Sequence, residues 1–262
     1  SPDTEGHATT NLARLRQIHG DPNPAGQYAH ALRGAHDDGP EGDAAAIEGL
    51  RKSITGLIGQ TLESLRRSPA RQLISVPLYL DFYGVVDIEV WEPAYHIGRA
   101  LHALQDSFAH TIRSDDLLRI RHVLNYVDAI EGGLEEVRDG LPHSVKMDSC
   151  EGESLPIAMT ASTASADLVG AINESVASRN LDSVKQVLAR WISHEPGCTA
   201  HNDYCDSAWV ALARQEPTGP YFEDIVGCSS MVSQGRSHGG WIVFALGLLF
   251  LFRGRRASIW LL

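Results

Sequence analysis

Between Ala44 and Arg67 apolar residues return every three or four positions. Ile47, Leu50, Ile54, Leu57, Ile58, Leu62 and Leu65 fall on one face, which predicts a long amphipathic helix ending at Ser68-Pro69. A shorter helix is predicted from Thr10 to Ile18, with Leu12, Leu15 and Ile18 on one side and GDPNPAG breaking it. The next stretch, HALRGAHDDGPEGD, is a polar loop rich in Gly, Asp and His. LISVPLYLDFYGVVDIEV, Leu73 to Val90, is apolar and β-branched. A strand or an irregular buried stretch is open there, but the helical flanks favour helix. Glu92-Pro93 starts another helix, with proline at a tolerated first-turn position. Ser114-Asp115-Asp116 supplies N-cap residues for a helix from about Ser114 to Val137. Leu155 to Ala177 and Leu181 to Ile192 complete the set, joined by SRNLDS. Residues 1–215 therefore read as one all-α domain, a helical bundle without an internal repeat.

The pattern changes after PTGPYFEDIVG. Residues 216–240 form a linker carrying Cys228, and residues 241–262 hold a short hydrophobic helix and an arginine cluster. The run WIVFALGLLFLF, Trp241 to Phe252, is uncharged and precedes RGRR. It is short against the roughly 17–25 residues of a membrane span. It gains length if Gly239, Gly240 and the residues after the arginines join it, their side chains snorkelling. The arginines mark the cytoplasmic side. A buried C-terminal helix is the competing reading.

Composition narrows the function. The formal net charge of -11 speaks against a sequence-independent nucleic-acid binder. Bound divalent metals would offset part of that charge locally, which leaves room for an anionic substrate. Of the four cysteines, Cys198 and Cys205 bracket CTAHNDYC and could close a short disulfide, while Cys150 and Cys228 stand apart. This is not a zinc-finger spacing; it fits an exported chain.

Twelve histidines are present, and some share a stripe with a carboxylate. In GRALHALQDSFAHT, His102, Asp106 and His110 lie four apart on an otherwise apolar helix. They span about 80° of arc. His102 and Asp106 can hold one ion together. His110 stands about 12 Å further along the axis, so it belongs to another ion. Asp106, with two oxygens, is the natural bridge, and metals about 3.5–4 Å apart clamp a phosphoryl group for in-line displacement. The bland alternative is a helix face with a His–Asp hydrogen bond. Leu101, Leu104 and Phe108 beside the stripe make isolated polar groups costly there. His96 lies about 240° from His102 around the helix and reads as structural. His194 and His201 lie near the cysteine loop and read as surface residues.

IGRALHALQDSFAHT resembles the zinc-dependent phospholipase C superfamily, which includes the fungal zinc nucleases and heterokaryon-incompatibility proteins. The His-x3-Asp-x3-His spacing is closest to the heterokaryon-incompatibility group. The resemblance covers about Ala94 to His122. It implies an all-helical fold of the phospholipase C type and up to three Zn²⁺ ions. His102 matches the first helix histidine, Asp106 the bridging aspartate, and His110 the histidine of the neighbouring metal. His122 lies where the next family histidine often does. The carboxylate expected four residues later is replaced by Tyr126, with Asp128 the nearest acid; His143 and Asp148 of PHSVKMDSC are substitutes. The family's enzymes also use an N-terminal Trp and an early His. No Trp precedes Trp91, but His7 in EGHATT sits where an early ligand is expected. His36, Asp37 and Asp38 in GAHDDG are candidates for the remaining loop ligands, against a solvated acidic loop. The tail from Gly227 to Arg256 resembles the C-terminal sorting tails of myxobacterial surface proteins, which carry a Cys, a spacer, a short apolar helix and an Arg cluster; ASIWLL departs from that pattern. That resemblance implies export, a sorting protease acting near Cys228, and membrane anchoring at the cell surface.

The expected function is thus a zinc-dependent hydrolase of phosphodiester bonds, on a phospholipid or another phosphodiester. Asp81 or Asp87, just before the motif helix, would act as general base. The alternative is an inactive helical adhesion or interaction domain holding at most a structural metal.

Overall fold

The computed structural model describes residues 23–67, 73–80, 84–144 and 146–215. Helix α1 (Pro24–Ala29) opens on Asn23, whose side chain accepts from the Ala25 N–H. The strongest periodic stretch becomes α2 (Gly39–Arg67), with Ile47, Leu50, Ile54, Leu57 and Ile58 buried at the spacing read from sequence. Two strands follow, β1 (Leu73–Leu80) antiparallel to β2 (Gly84–Trp91). The motif helix is α3 (Glu92–Ala109), with Pro93 in its first turn. A three-stranded sheet is ordered β3 (Thr111–Arg113), β4 (Arg119–Val123), β5 (Ser193–His194), with β3–β4 antiparallel and β4–β5 parallel. Two short helices, α4 (Val127–Glu131) and α5 (Glu136–Asp139), lead to α6 (Leu155–Ser178) and α7 (Asp182–Trp191). A left-handed turn at Asp203–Asp206 and the short α8 (Trp209–Ala213) complete the described chain.

The core lies where α2 packs along α3, α3 along α6, and α6 along α7. Leu50, Ile54, Leu104, Phe108, Leu168 and Leu188 are among its buried members. By length and composition the apolar helix Gly152–Ser178 could cross a membrane. Its Ile157, Ala164, Leu168 and Ile172 are buried in this core instead.

The all-α expectation is overturned by the two sheets. In the stretch from Leu73 to Val90, expected to be mainly helical, the described residues are the two strands of the β1–β2 pair. Its register pairs Ile74 with Val90 and Val76 with Ile88, while Ser75 faces Glu89 and Pro77 faces Asp87. That alternation has the period of a half-buried strand, and β-branched side chains fit it. The helix expected from Ser114 to Val137 is also absent. Ser114 and Asp116 shape a turn instead: the Ser114 hydroxyl donates to Asp116 at 2.6 Å, and Asp116 accepts the Leu118 N–H at 3.1 Å. The chain then pairs as β4, with Ile120 fully buried, and α4 stops at the positive-φ glycines Gly132 and Gly133.

Cys198 and Cys205 form the disulfide that their loop allows. The Thr10–Ile18 segment, His7, Asp81, Cys228, the linker, the apolar run and the arginine cluster lie outside the described residues.

Candidate metal centre

The stripe on α3 sits beside the core face formed by Ala100, Ala103, Leu104 and Phe108. Two groups of metal-ligand type assemble around its C-terminal end: His30 with His102 and Asp106, and His110 with His143 and Asp148. Within each group the ligand atoms all lie within 4.8 Å of one another.

In the first group a single oxygen, Asp106 Oδ2, stands 3.1 Å from His102 Nε2 and 3.1 Å from His30 Nδ1. The two rings meet edge to face, their centroids 5.5 Å apart. His102 and Asp106 come from adjacent turns of α3; His30 comes from the turn that ends α1. In the second group, Asp148 uses both oxygens: Oδ1 lies 3.2 Å from His110 Nε2 and Oδ2 lies 3.0 Å from His143 Nε2. Tyr126 stands edge-on to His143, its ring centroid 5.4 Å away. So Tyr126 lines the second group, while the carboxylate comes from Asp148, twenty-two residues further on.

Charge follows this geometry. Burial alone would raise the Asp106 carboxyl, but His102 and His110 beside it, with the hydrogen bonds from His102 and His30, hold it at about 2. Burial opposes charge on His110, yet Asp148 and Asp106 push it up to about 9. Asp148, despite burial, is held well below the usual carboxylate range by His143 and His110.

The donor set fits a transition-metal ion. Ligands at 2.0–2.2 Å around a tetrahedral ion stand roughly 3.3–3.6 Å apart. The His–Asp separations of 3.0 to 3.2 Å need only a small expansion to reach that. Two imidazoles and one carboxylate per group favour zinc-like ions over magnesium or calcium, which take oxygen.

Other residues singled out in the sequence lie elsewhere. His122 is buried and belongs to neither group: Nδ1 lies 3.1 Å from Asp43, and Nε2 accepts the Leu141 N–H at 3.1 Å. Asp43 also receives Arg33 at 2.9 Å and the Val123 N–H at 2.7 Å. This knot ties the loop after α1 to α2 and β4. His36 and Asp38 are exposed, with His36 at φ +67°, while Asp37 accepts from the Gly34 N–H and the Tyr28 hydroxyl. Asp87 is exposed on β2 and belongs to neither group. Asp128 accepts from the Asn125 side chain. His96 packs against Tyr95 and faces Glu92 at 3.8 Å; His201 is exposed and His194 half-buried.

Set against models of protein families, curated proteins and solved structures, the chain matches none of them. The centre therefore stands on its own chemistry. Of the six ligands, His30 is the one that the sequence reading does not single out. It sits in the same His-rich loop as His36, and only the fold distinguishes the histidine that turns inward from the one that points to solvent.

Proposed function

We propose that the chain is a zinc-dependent hydrolase of phosphodiester bonds, similar in kind to the phospholipase C superfamily. The observation that carries this is the pairing of two His/His/Asp groups at one end of α3. Each offers three protein ligands, the number that leaves a coordination position for water or substrate in catalytic zinc sites. Bound there, zinc supplies Lewis acidity and lowers the pKa of a coordinated water toward about 7.

The chain's own residues do the remaining work. Asp106 and Asp148 orient two imidazoles each and keep their nitrogens convergent. With one carboxylate per ion the ligands leave each divalent charge only partly neutralised, and this favours an anionic phosphodiester. Asp106 acts here as a ligand of one ion, and up to two ions are accounted for by the two groups. Export and anchoring through the tail, with processing near Cys228, belong to this proposal on the strength of the tail sequence.

The test is zinc content by elemental analysis together with hydrolysis of bis(p-nitrophenyl) phosphate. We expect about two ions per chain and an activity removed by a chelator, restored by zinc and lost in His102→Ala. Zinc without hydrolysis would refute the hydrolase and leave a metal-bearing interaction domain. No zinc at all would refute the centre.

A further inference from the structure

The two groups share no side chain, yet both lean on His30. Its imidazole Nδ1 faces Asp106 at 3.1 Å in the first group. Its backbone carbonyl accepts from His110 Nδ1 at 2.5 Å in the second. The His110 N–H in turn donates to the Asp106 carbonyl at 2.7 Å. Asp106, His30 and His110 thus close a ring of three contacts between the groups.

We infer that His30 couples the two groups, so that an ion in either one strengthens binding in the other; this rests on reading both groups as metal sites. The step from one group to the other is a tautomer. A carbonyl can only accept, so Nδ1 of His110 must carry its proton toward His30, which turns Nε2 toward Asp148 as the ligand nitrogen. The direction of that carbonyl depends on the peptide after His30. Ala31 holds it at φ +53°, in the left-handed region, and is 2% exposed. A residue with a β-carbon stays there only when its surroundings hold it.

An ion gripping His30 and Asp106 fixes His30 from its side-chain end and so keeps the carbonyl on His110. An ion on His110 fixes the same peptide from the other end. Repulsion between two cations opposes this. Each group brings its own carboxylate to its ion, which reduces the charge facing the neighbour, and the shared ordering sets the sign.

The experiment is a zinc titration of the full chain, by competition with a chromophoric chelator, on the wild type and on single variants. His102→Ala removes a ligand of the first group and His143→Ala a ligand of the second. Both variants keep His30, its carbonyl and His110, but each loses a ring contact: His102 packs edge to face on His30 at 5.5 Å and His143 on His110 at 4.7 Å. His102→Gln and His143→Gln, which keep a side chain of similar length there, are therefore titrated beside the alanine variants. Linkage requires the coupling to be reciprocal. We expect His102→Ala to weaken zinc binding at the second group by about 5–10-fold, and His143→Ala to weaken the first by the same factor. Ala31→Gly, which frees the peptide and keeps every ligand, should leave two ions bound and lower the coupling factor. Circular dichroism of the metal-free variants checks the fold, and His102→Gln replaces His102→Ala if the latter does not fold. A remaining site that binds zinc as tightly as in the wild type, or more tightly, overturns the coupling alone. A wild type that binds no zinc overturns the metal sites themselves.

Discussion

Asp106 and His122 lie on neighbouring elements and are both surrounded by charge, but they answer to different needs. Asp106 draws two imidazoles onto one oxygen. Asp106→Asn should weaken zinc binding at its group by about 100-fold or more, since even residues behind the ligands typically contribute 10–100-fold. His122, as the neutral imidazole, donates from Nδ1 to the buried Asp43, whose charge Arg33 balances, and receives a backbone N–H at Nε2. His122→Ala should leave zinc stoichiometry unchanged and cost about 2–4 kcal/mol of stability, because it removes a buried hydrogen bond to a charged carboxylate, leaves the Leu141 N–H without its acceptor and opens a cavity. Elemental analysis and denaturant unfolding separate the two outcomes; equal zinc loss in both variants would contradict these roles. The same knot sets a pH dependence. Burial, with Arg33 nearby, lowers the His122 pKa despite the pull of Asp43. Burial would raise Asp43, but His122 and Arg33 lower it on balance. In both cases the unfolded chain binds the proton more readily, so stability falls as pH falls. For His122 the loss begins below its unfolded value of about 6.5, and for Asp43 below about 3.9. The metal-free protein should therefore unfold at lower denaturant between pH 6.5 and 5, and His122→Gln should flatten that slope. An unchanged slope in the variant would exclude His122 as its source.

Elements place these residues, and one glycine shows how tightly. Gly140, at φ +81°, passes over the His122 ring, where a β-carbon would stand 2.2 Å from the imidazole. Gly140→Ala adds backbone strain to a collision with a ring pinned on both nitrogens. A loss of about 2–4 kcal/mol in unfolding free energy is expected, with the zinc groups intact. A loss below about 0.5 kcal/mol, the size of ordinary surface substitutions, would mean that the loop after α5 can move aside. Such positions were invisible in the sequence, because they depend on which distant segments touch. What was legible follows the same physics. The helices at Gly39–Arg67, Glu92–Ala109, Leu155–Ser178 and Asp182–Trp191 bury one face each, and the spacing of their apolar residues declares it. The two strands read as helix because a largely apolar, β-branched run between two helices does not reveal its period unless Ser75, Pro77, Asp87 and Glu89 are taken as one face. Arg119–Val123 was misread because Ser114-Asp115-Asp116 can cap a helix or make a turn, and its side chains chose the turn. In the centre, i,i+4 spacing disclosed His102 and Asp106 and separated His110 from them. His143 and Asp148 were visible only as a nearby His and Asp, and His30 not at all.

At the scale of the whole molecule the centre is a clasp. Its ligands come from the turn after α1, from α3 and its cap, and from the loop before α6, segments far apart in sequence. The unfolded chain cannot present them together, so an ion that binds them binds the folded state and stabilises it by mass action. At a free zinc concentration about 100 times the dissociation constant, one ion contributes roughly 2.7 kcal/mol. For a domain of this size each kcal/mol raises the melting temperature by about 2–4 °C, so each ion should add about 5–10 °C. The shift should depend on the metal. Nitrogen-rich groups bind zinc well and the oxygen-seeking ions poorly, so calcium or magnesium at the same concentration should leave the melting temperature within about 1 °C of the metal-free value. The double variant His102→Ala/His143→Ala, with one imidazole removed from each group, should lose the zinc response while the metal-free protein still unfolds cooperatively. Differential scanning calorimetry of the metal-free chain with each ion in turn decides it. A zinc shift that survives in the double variant would place the ion elsewhere on the chain, and one matched by calcium would mean a surface of carboxylates rather than these two imidazole clasps.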